Sequence, residues 1–347
     1  MRLAEAPQLH RPGEGALLEA RGLTKHFRVG GTFSRKLLHA VDEVDLAIYP
    51  REIVALVGES GSGKSTIARL LARVYRPTSG EILFRGQSLG ALPTRDYKRH
   101  VQMVFQDPYS SLNPVFRASH GMLRTIRLHR KLRGRASRRA LGAQILESVG
   151  LSPSDEFLRK YPHELSGGQR QRYGFAQALG CNPELILADE PVSMLDVSIR
   201  IGVLNLMQEL RVREGLSFLY ITHDIASARY IADRLVVMYA GKVVEEGPTE
   251  DVLRHPKHPY TQLLLSAVPD PHAPPDSAEK ADAAEPPRMI DPGEGCRFRS
   301  RCPYRIEVCN TVTPPLRILR PEHKAACHVA QPDEDFVPAG GPAGAQP

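Results

Sequence analysis

Predominantly apolar runs of strand length recur along residues 16–268 and alternate with segments of helical spacing. Four of these runs have the length and composition of strands buried inside a sheet. They are residues 53–57, 101–105, 185–188 and 217–222. Residues 39–48 alternate apolar and polar positions and predict a further strand, and residues 234–246 predict a hairpin about Gly241. The pattern predicts a large α/β core.

Composition divides the chain into one large unit and a small appendage. We assign residues 16–268 to the large unit and predict that residues 1–15, polar with Pro and Gly, are disordered. Residues 269–292 are rich in Pro, Ala, Asp and Glu and are predicted to form a linker. A cysteine-containing segment, 293–330, follows, and the low-complexity tail 331–347 is predicted to be disordered.

Charge and hydropathy narrow the class of protein. The chain has 347 residues and a net charge of +7, a mild excess compatible with several partners. No apolar run reaches the ~18–20 residues that span a bilayer, and residues 1–7 lack an apolar signal core, so we expect no export. Residues 124–139 are rich in Arg and Lys but carry no aromatics for base stacking, which favours a solvated helix face over a nucleic-acid patch.

A glycine-rich segment, residues 58–66, connects the strand 53–57 to a segment with helical spacing. Strand, GxxxxGK[ST] and helix in this order predict a phosphate-binding loop. The glycines allow the backbone N–H groups to surround an anion, the lysine adds a positive charge, and the following hydroxyl can bind Mg²⁺. The candidate nucleotide-binding residues are Gly58, Ser60, Gly61, Gly63, Lys64, Ser65 and Thr66.

Polar residues follow three of the predicted strands. Asp189 and Glu190 end an apolar strand, where the first carboxylate suits Mg²⁺ and the second can orient or deprotonate a water. Gln106 and His223 follow two other strands. A lone histidine is usually structural, but the carboxyl edge of a parallel sheet is where such sheets bind ligands.

Two further segments have more than one interpretation. Residues 165–169, Leu-Ser-Gly-Gly-Gln, open a helix and form either a second anion-binding helix start or only a capped one. Phe27 is either a core aromatic or a platform for a stacked base, and burial of aromatics favours the core.

These motifs, in this order, resemble those of the ATP-binding cassette ATPases over roughly residues 17–268. The resemblance implies a RecA-like P-loop NTPase core, an antiparallel β subdomain and a helical subdomain at about 107–168. It implies ATP and Mg²⁺ as cofactors, and it reverses the interpretation of Phe27, which matches the adenine-stacking aromatic. It also implies catalytic or metal-linked functions for Gln106, Asp189, Glu190 and His223.

The resemblance also implies a partner for each nucleotide site. In this family ATP lies between two cassettes arranged head to tail, so Ser166, Gly167, Gly168 and Gln169 would complete the site of a second, homologous or identical, cassette. ATP would hold the pair closed and hydrolysis would release it, which would move a transmembrane partner.

Three stretches resemble the dipeptide and oligopeptide permease ATP-binding subunits more closely: residues 106–114, 258–261 and 295–303. The resemblance implies two transmembrane permease subunits, an indirect link to an extracytoplasmic solute-binding protein, no nucleic-acid partner, and a peripheral position on the cytoplasmic face of the membrane. Because that branch includes nickel and sugar importers, these solutes are alternatives to peptides. A soluble cassette acting on nucleic acid, or a module that senses iron or redox state, would be a rival class.

Four of the five cysteines lie in the C-terminal segment, at Cys296, Cys302, Cys309 and Cys327. Their separations contain no CxxC pair, which argues against an ordinary zinc ribbon. Zinc, an iron–sulfur cluster and free reduced thiols all stay open on the residues alone. The resemblance favours a [4Fe–4S] cluster, since some members of the branch carry one at this position.

Overall fold

The computed structural model describes residues 15–30, 35–107, 112–130, 132, 134–267 and 289–333. The predicted disordered ends, except for residues 15 and 331–333, and the linker up to residue 288 lie outside the described residues. So do residues 108–111 of the peptide-permease-like stretch.

Twelve strands and ten α-helices alternate along the described chain. The strands are β1 Leu18–Arg28, β2 Leu37–Ile48, β3 Ile53–Val57, β4 Ser79–Phe84, β5 Gln87–Ser88, β6 Val101–Val104, β7 Leu185–Asp189, β8 Ser217–Thr222, β9 Arg234–Tyr239, β10 Lys242–Pro248, β11 Arg317–Arg320 and β12 His323–Ala325. The helices are α1 Lys64–Leu71, α2 Thr94–His100, α3 Ser119–His129, α4 Arg135–Ser148, α5 Ser154–Phe157, α6 Gly167–Leu179, α7 Val197–Glu214, α8 Ile225–Ile231, α9 Thr249–Arg254 and α10 Pro259–Ser266.

The larger sheet has eight strands in the order β11-β12-β10-β9-β3-β8-β7-β6. Its centre is parallel, from β9 through β3, β8 and β7 to β6, and its β10, β11 and β12 edge is antiparallel. Parallel strands present their carboxyl ends at one edge, so the residues after β3, β6, β7 and β8 lie near one another. The predicted α/β class is confirmed.

Strand β3 is buried on both faces of this sheet. Ile53, Ala55 and Val57 belong to one hydrophobic cluster, whereas Val54 and Leu56 belong to a second cluster on the opposite face. This alternation is the two-residue period of a strand. It explains why the sequence shows a continuous apolar run rather than an alternating one.

A second sheet is antiparallel, with the order β2-β1-β4-β5. Its inner face joins the cluster that contains Val54 and Leu56, through side chains such as Leu18, Val44 and Phe84. The predicted strand at 39–48 corresponds to β2, and the helical pattern after residue 117 corresponds to α3, α4 and α5.

The part of the chain from residue 289 onward packs against both sheets. The carbonyl of Met289 accepts a hydrogen bond from the N–H of His39 at 2.8 Å, and Ile290 pairs with Leu38. The last residues assigned to the linker thus pair along β2. Strand β12 pairs with β10 at the edge of the large sheet, an addition that the sequence pattern did not predict.

Phe298 anchors this segment to the main core. Its side chain is 1% exposed, and its ring centroid lies 5.2 Å from that of Tyr239 and 5.5 Å from that of Tyr260. The segment therefore shares a hydrophobic cluster with the large sheet.

Truncating this anchor should destabilise the whole protein. We expect Phe298→Ala to lower the free energy of unfolding by about 3–5 kcal/mol, because the substitution removes a buried ring and leaves a cavity. Urea unfolding followed by circular dichroism measures this change. The control is Ile306→Ala, at a side chain that is 47% exposed in the same segment, for which we expect a change within about 0.5 kcal/mol. Equal, small effects of both substitutions would contradict the shared core.

Candidate functional site

The phosphate loop runs from the end of β3 to the start of α1 and touches two other strands. A Cβ atom at Gly58 would lie 2.2 Å from the carbonyl oxygen of Met238, and one at Gly63 would lie 2.3 Å from that of Ala40. Gly63 also has a φ of 104°, in the left-handed region that favours glycine. These positions exclude side chains, so the backbone itself lines the loop.

Lys64 is buried within the loop and hydrogen-bonds to its backbone. Its Nζ donates to the carbonyl oxygens of Gly58 at 2.7 Å and Glu59 at 2.8 Å. Burial lowers the pKa of Lys64 to about 8, and the carboxylates of Glu190, Asp189 and Glu59 act in the opposite direction. The two carbonyl oxygens that accept hydrogen bonds from Lys64 Nζ are neutral, so the positive charge of the lysine is available to an anion.

Ser65 and Asp189 meet at the carboxyl end of β7. The hydroxyl of Ser65 donates to Asp189 Oδ1 at 2.8 Å. Burial raises the pKa of Asp189, although the bond from Ser65 and the positive charges of Arg69 and Lys64 oppose the rise. A hydroxyl and a carboxylate in contact are an oxygen donor set suited to Mg²⁺.

Glu190 is the meeting point of three strand ends. Its Oε2 accepts a hydrogen bond from Gln106 Nε2 at 3.1 Å and lies 3.3 Å from His223 Nδ1. Its backbone has a φ of 46°, an uncommon value for a residue with a side chain, and its N–H bonds to the carbonyl of Ile221. This arrangement holds a carboxylate where it can accept a proton from water.

Phe27 lies near the end of β1 and is only half-buried. Its ring contacts Tyr75 edge to face at 5.5 Å, and the Lys25 ammonium lies 5.1 Å from its centroid. It belongs to neither hydrophobic cluster. A partly exposed ring is a better candidate for stacking than a fully buried core aromatic.

Residues 165–169 form a capped helix start. Ser166 Oγ accepts from the N–H of Gln169 at 3.3 Å, and Gln169 Oε1 accepts from the N–H of Ser166 at 3.1 Å. Ser166 is exposed, and a Cβ at Gly168 would clash with Ile199. In the described part of the chain, no hydrogen bond or ion pair joins this segment to residues 58–66.

The C-terminal cysteines are free thiols that lie near one another. Burial raises the pKa of Cys296 to about 11; the backbone hydrogen bond at Phe298 opposes the rise, and the neighbouring thiols of Cys309, Cys327 and Cys302 add to it. The backbone of Phe298 hydrogen-bonds to Cys296, and that of Tyr304 to Cys302.

The most compact group of possible metal ligands in the described ranges lies outside the cysteine-containing segment. In the described ranges, one group of three ligand side chains has its ligand atoms within 4.8 Å of one another, and it consists of His26, His39 and Asp42. Arg297 donates to the Asp42 carboxylate, so a cation there would meet a guanidinium. The four cysteines do not form so compact a group.

Sequence reasoning missed two contacts that reach the phosphate loop from the C-terminal third of the chain. Tyr260 accepts a hydrogen bond at its hydroxyl from the N–H of Glu59 at 2.8 Å. Arg301 forms a bidentate ion pair with the Glu59 carboxylate. Both residues lie in stretches that carried the family resemblance, but no local pattern indicates where their side chains lie.

None of the helices in the described ranges combines the length and apolar character needed to cross a membrane.

Two family models match different parts of the chain. The model described as ABC transporter matches residues 41–193, which include the phosphate loop, residues 165–169 and Glu190. The model described as oligopeptide/dipeptide transporter, C-terminal region, matches residues 244–309, which include Tyr260 and Arg301.

Similar proteins extend over nearly the whole chain. The oligopeptide transport ATP-binding protein AppF of Bacillus subtilis (strain 168) is 42% identical over 324 residues, covering 90% of this chain and 97% of that protein. The dimeric ATP-binding cassette MJ0796, described in a post-hydrolysis state bound to ADP and Pi, is 30% identical with a TM-score of 0.58. That match covers 67% of this chain and 98% of the cassette. The cbiO1 structure from Clostridium perfringens, 24% identical over 70% of this chain and 92% of its own, shares the fold with a TM-score of 0.60.

These matches confirm the predicted family and the cassette fold. The chain belongs to the ABC transporter family, among the ATP-binding proteins that carry the oligopeptide/dipeptide transporter C-terminal region.

Proposed function

We propose that this chain hydrolyses ATP and thereby powers the import of di- or oligopeptides through separate transmembrane subunits. The observation that carries the catalytic part is the position of Glu190 between Gln106 and His223, next to the Ser65–Asp189 pair. A carboxylate that can accept a proton, polar side chains that orient it and an oxygen pair suited to Mg²⁺ can together promote phosphoryl transfer to water.

Each group has a distinct function in this proposal. The loop backbone and Lys64 bind the β- and γ-phosphates, and Phe27 stacks on the adenine. Ser65, Asp189 and Gln106 would hold Mg²⁺, which would supply positive charge to neutralise the phosphates. Glu190 accepts the proton of the attacking water, and His223, whose Nδ1 lies 3.3 Å from Glu190 Oε2, would contact the γ-phosphate.

A second cassette is part of the same proposal. Ser166, Gly167, Gly168 and Gln169 start a helix with Ser166 exposed, and among the described residues they make no hydrogen bond or ion pair with the loop of their own chain. The N–H groups of such a helix start bind anions. We infer that they close over the γ-phosphate held by a second cassette, whether identical or homologous. The dimeric arrangement described for MJ0796 supports this inference.

Peptide import rests on the relatives. AppF is named an oligopeptide transport ATP-binding protein, and the C-terminal family model carries the same description. We propose two permease subunits as direct partners, a solute-binding protein outside the cell as an indirect one, and a peripheral position on the cytoplasmic face of the membrane.

The four C-terminal cysteines are proposed to hold a [4Fe–4S] cluster, because four nearby thiols with backbone hydrogen bonds to two of the sulfurs provide a suitable ligand set. We expect protein purified without oxygen to contain iron and sulfide and to absorb visible light, and Cys309→Ser to lose both. Cys181→Ser is the matched control, since Cys181 is buried outside this segment. Iron-free, colourless protein would refute the cluster.

Glu190→Gln should separate binding from catalysis. We expect ATP turnover to fall by about 10²–10⁴-fold, because an amide cannot accept the proton of water, while ATP binding persists. ATP-dependent dimerisation should then be stable enough to observe by size-exclusion chromatography. Glu209→Gln, at an exposed carboxylate on α7, should turn over ATP like the wild type. Wild-type turnover by Glu190→Gln would contradict the catalytic assignment.

Reconstituted transport tests the complete proposal. The chain should copurify with two polytopic membrane proteins. Vesicles that contain the complex should take up peptide only when ATP is present on the side of the membrane that carries the ATP-binding chain. The same vesicles containing Glu190→Gln should show no uptake. Uptake of nickel or a sugar instead would correct the solute, and salt-sensitive binding to nucleic acid without a membrane partner would overturn the importer assignment.

A further inference from the structure

The C-terminal segment, residues 293–330, reaches the phosphate loop through one ion pair. Arg301 Nη1 lies 2.8 Å from Glu59 Oε2, and Nη2 lies 3.0 Å from Oε1. The two side chains are 13% and 23% exposed. A bidentate pair of this kind is more directional than a single exposed contact and less screened by solvent.

The N–H, the carbonyl and the carboxylate of Glu59 each have a bonding partner. Its N–H donates to the Tyr260 hydroxyl, its carbonyl accepts from Lys64 Nζ, and its carboxylate pairs with Arg301. Glu59 directly follows Gly58, whose residue type leaves the backbone with little conformational preference of its own. The bonds made by Glu59 therefore help fix where the loop begins.

The turn that carries Arg301 is anchored in the hydrophobic core. The N–H of Arg301 bonds to the carbonyl of Phe298 at 3.0 Å, in a turn whose phenylalanine is buried in the core. The guanidinium lies 5.9 Å from the ring centroids of Phe298 and Tyr239. Movement of the C-terminal segment would consequently be transmitted to Glu59.

The charge of Glu59 acts on the group that meets the phosphates. Lys64 Nζ donates to the carbonyl oxygen of Glu59 at 2.8 Å, so the lysine and the Glu59 residue are in direct contact. An unpaired carboxylate at this position would add negative charge close to a triphosphate. Arg301 neutralises that charge without itself belonging to the loop.

We propose that Arg301 is a positioning residue for nucleotide binding, which neutralises and orients Glu59 and so makes the ATP affinity of the phosphate loop depend on the C-terminal segment. This inference rests on the proposed function, since it requires that the loop bind ATP.

A charge-exchange series tests the inference. Equilibrium ATP binding is measured on full-length protein that carries Glu190→Gln to suppress turnover. Adding Arg301→Gln should raise the Kd for ATP about five- to tenfold, because the Glu59 carboxylate is then unpaired. Glu59→Gln removes the pairing but leaves no free carboxylate, so it should raise the Kd less than Arg301→Gln does, by about two- to threefold. Adding Arg301→Gln to Glu59→Gln should then not raise the Kd further, because the carboxylate that Arg301 neutralises is already absent.

Two further variants separate charge from folding. Arg301→Lys keeps the positive charge but not the paired geometry, so its Kd should lie between those of the parent protein and Arg301→Gln. Arg299→Gln removes a cation from the same turn, where the guanidinium bonds only to the carbonyl of Cys296 among the contacts described, and should leave the Kd unchanged. Circular dichroism melting confirms that each variant is folded.

Two results would contradict the inference. An unchanged Kd for Arg301→Gln would overturn it, and so would a double variant as weak as Arg301→Gln, because the effect would then not depend on Glu59. If the parent protein binds no ATP, the proposed function itself fails. If the parent protein binds ATP and Arg301→Gln leaves the Kd unchanged, the proposed function stands and only this inference is overturned.

Discussion

Close approach of the phosphate loop to two carbonyl oxygens is the constraint on which the rest of the site depends. Met238 belongs to the large sheet and Ala40 to the antiparallel sheet, and each leaves no space for a Cβ atom on the loop. Glycine at positions 58 and 63 lets the loop pass between the two sheets. The loop therefore lies where the two sheets meet, and its contacts with both sheets set its backbone geometry.

The electrostatics of the site follow from this packing. Lys64 is buried against backbone carbonyls, and Asp189 is buried against a hydroxyl, so each charge is solvated by dipoles. Such groups are costly to bury but need little rearrangement when a charged substrate arrives. Glu190, by contrast, is positioned by the side chains of Gln106 and His223, which follow two other strands. The position of its carboxylate therefore depends on how the loops after β6, β7 and β8 lie relative to one another.

The C-terminal segment is part of the same body. Besides Phe298, a buried pair joins it to the large sheet, where His323 Nε2 lies 2.7 Å from Glu245 Oε1. Glu245 also accepts from the N–H of His258, at the start of the helix that carries Tyr260. Tyr260 then contacts the phosphate loop. The order Glu245, His258, Tyr260 and Glu59 links the sheet edge formed by β12 to the nucleotide site by direct contacts.

The sequence by itself determined the strand–loop–helix unit, the polar strand ends and the helix start at Ser166, because each depends on residues close along the chain. The resemblance added the family, but no local pattern reveals that Gln106 and His223 both contact Oε2 of Glu190, or that Phe27 is partly exposed. Only the tertiary structure decided that β12 completes the large sheet and that Arg301 reaches Glu59. These contacts join residues far apart in sequence, and their partners are selected by packing and strand register, which hydrophobic periodicity does not encode.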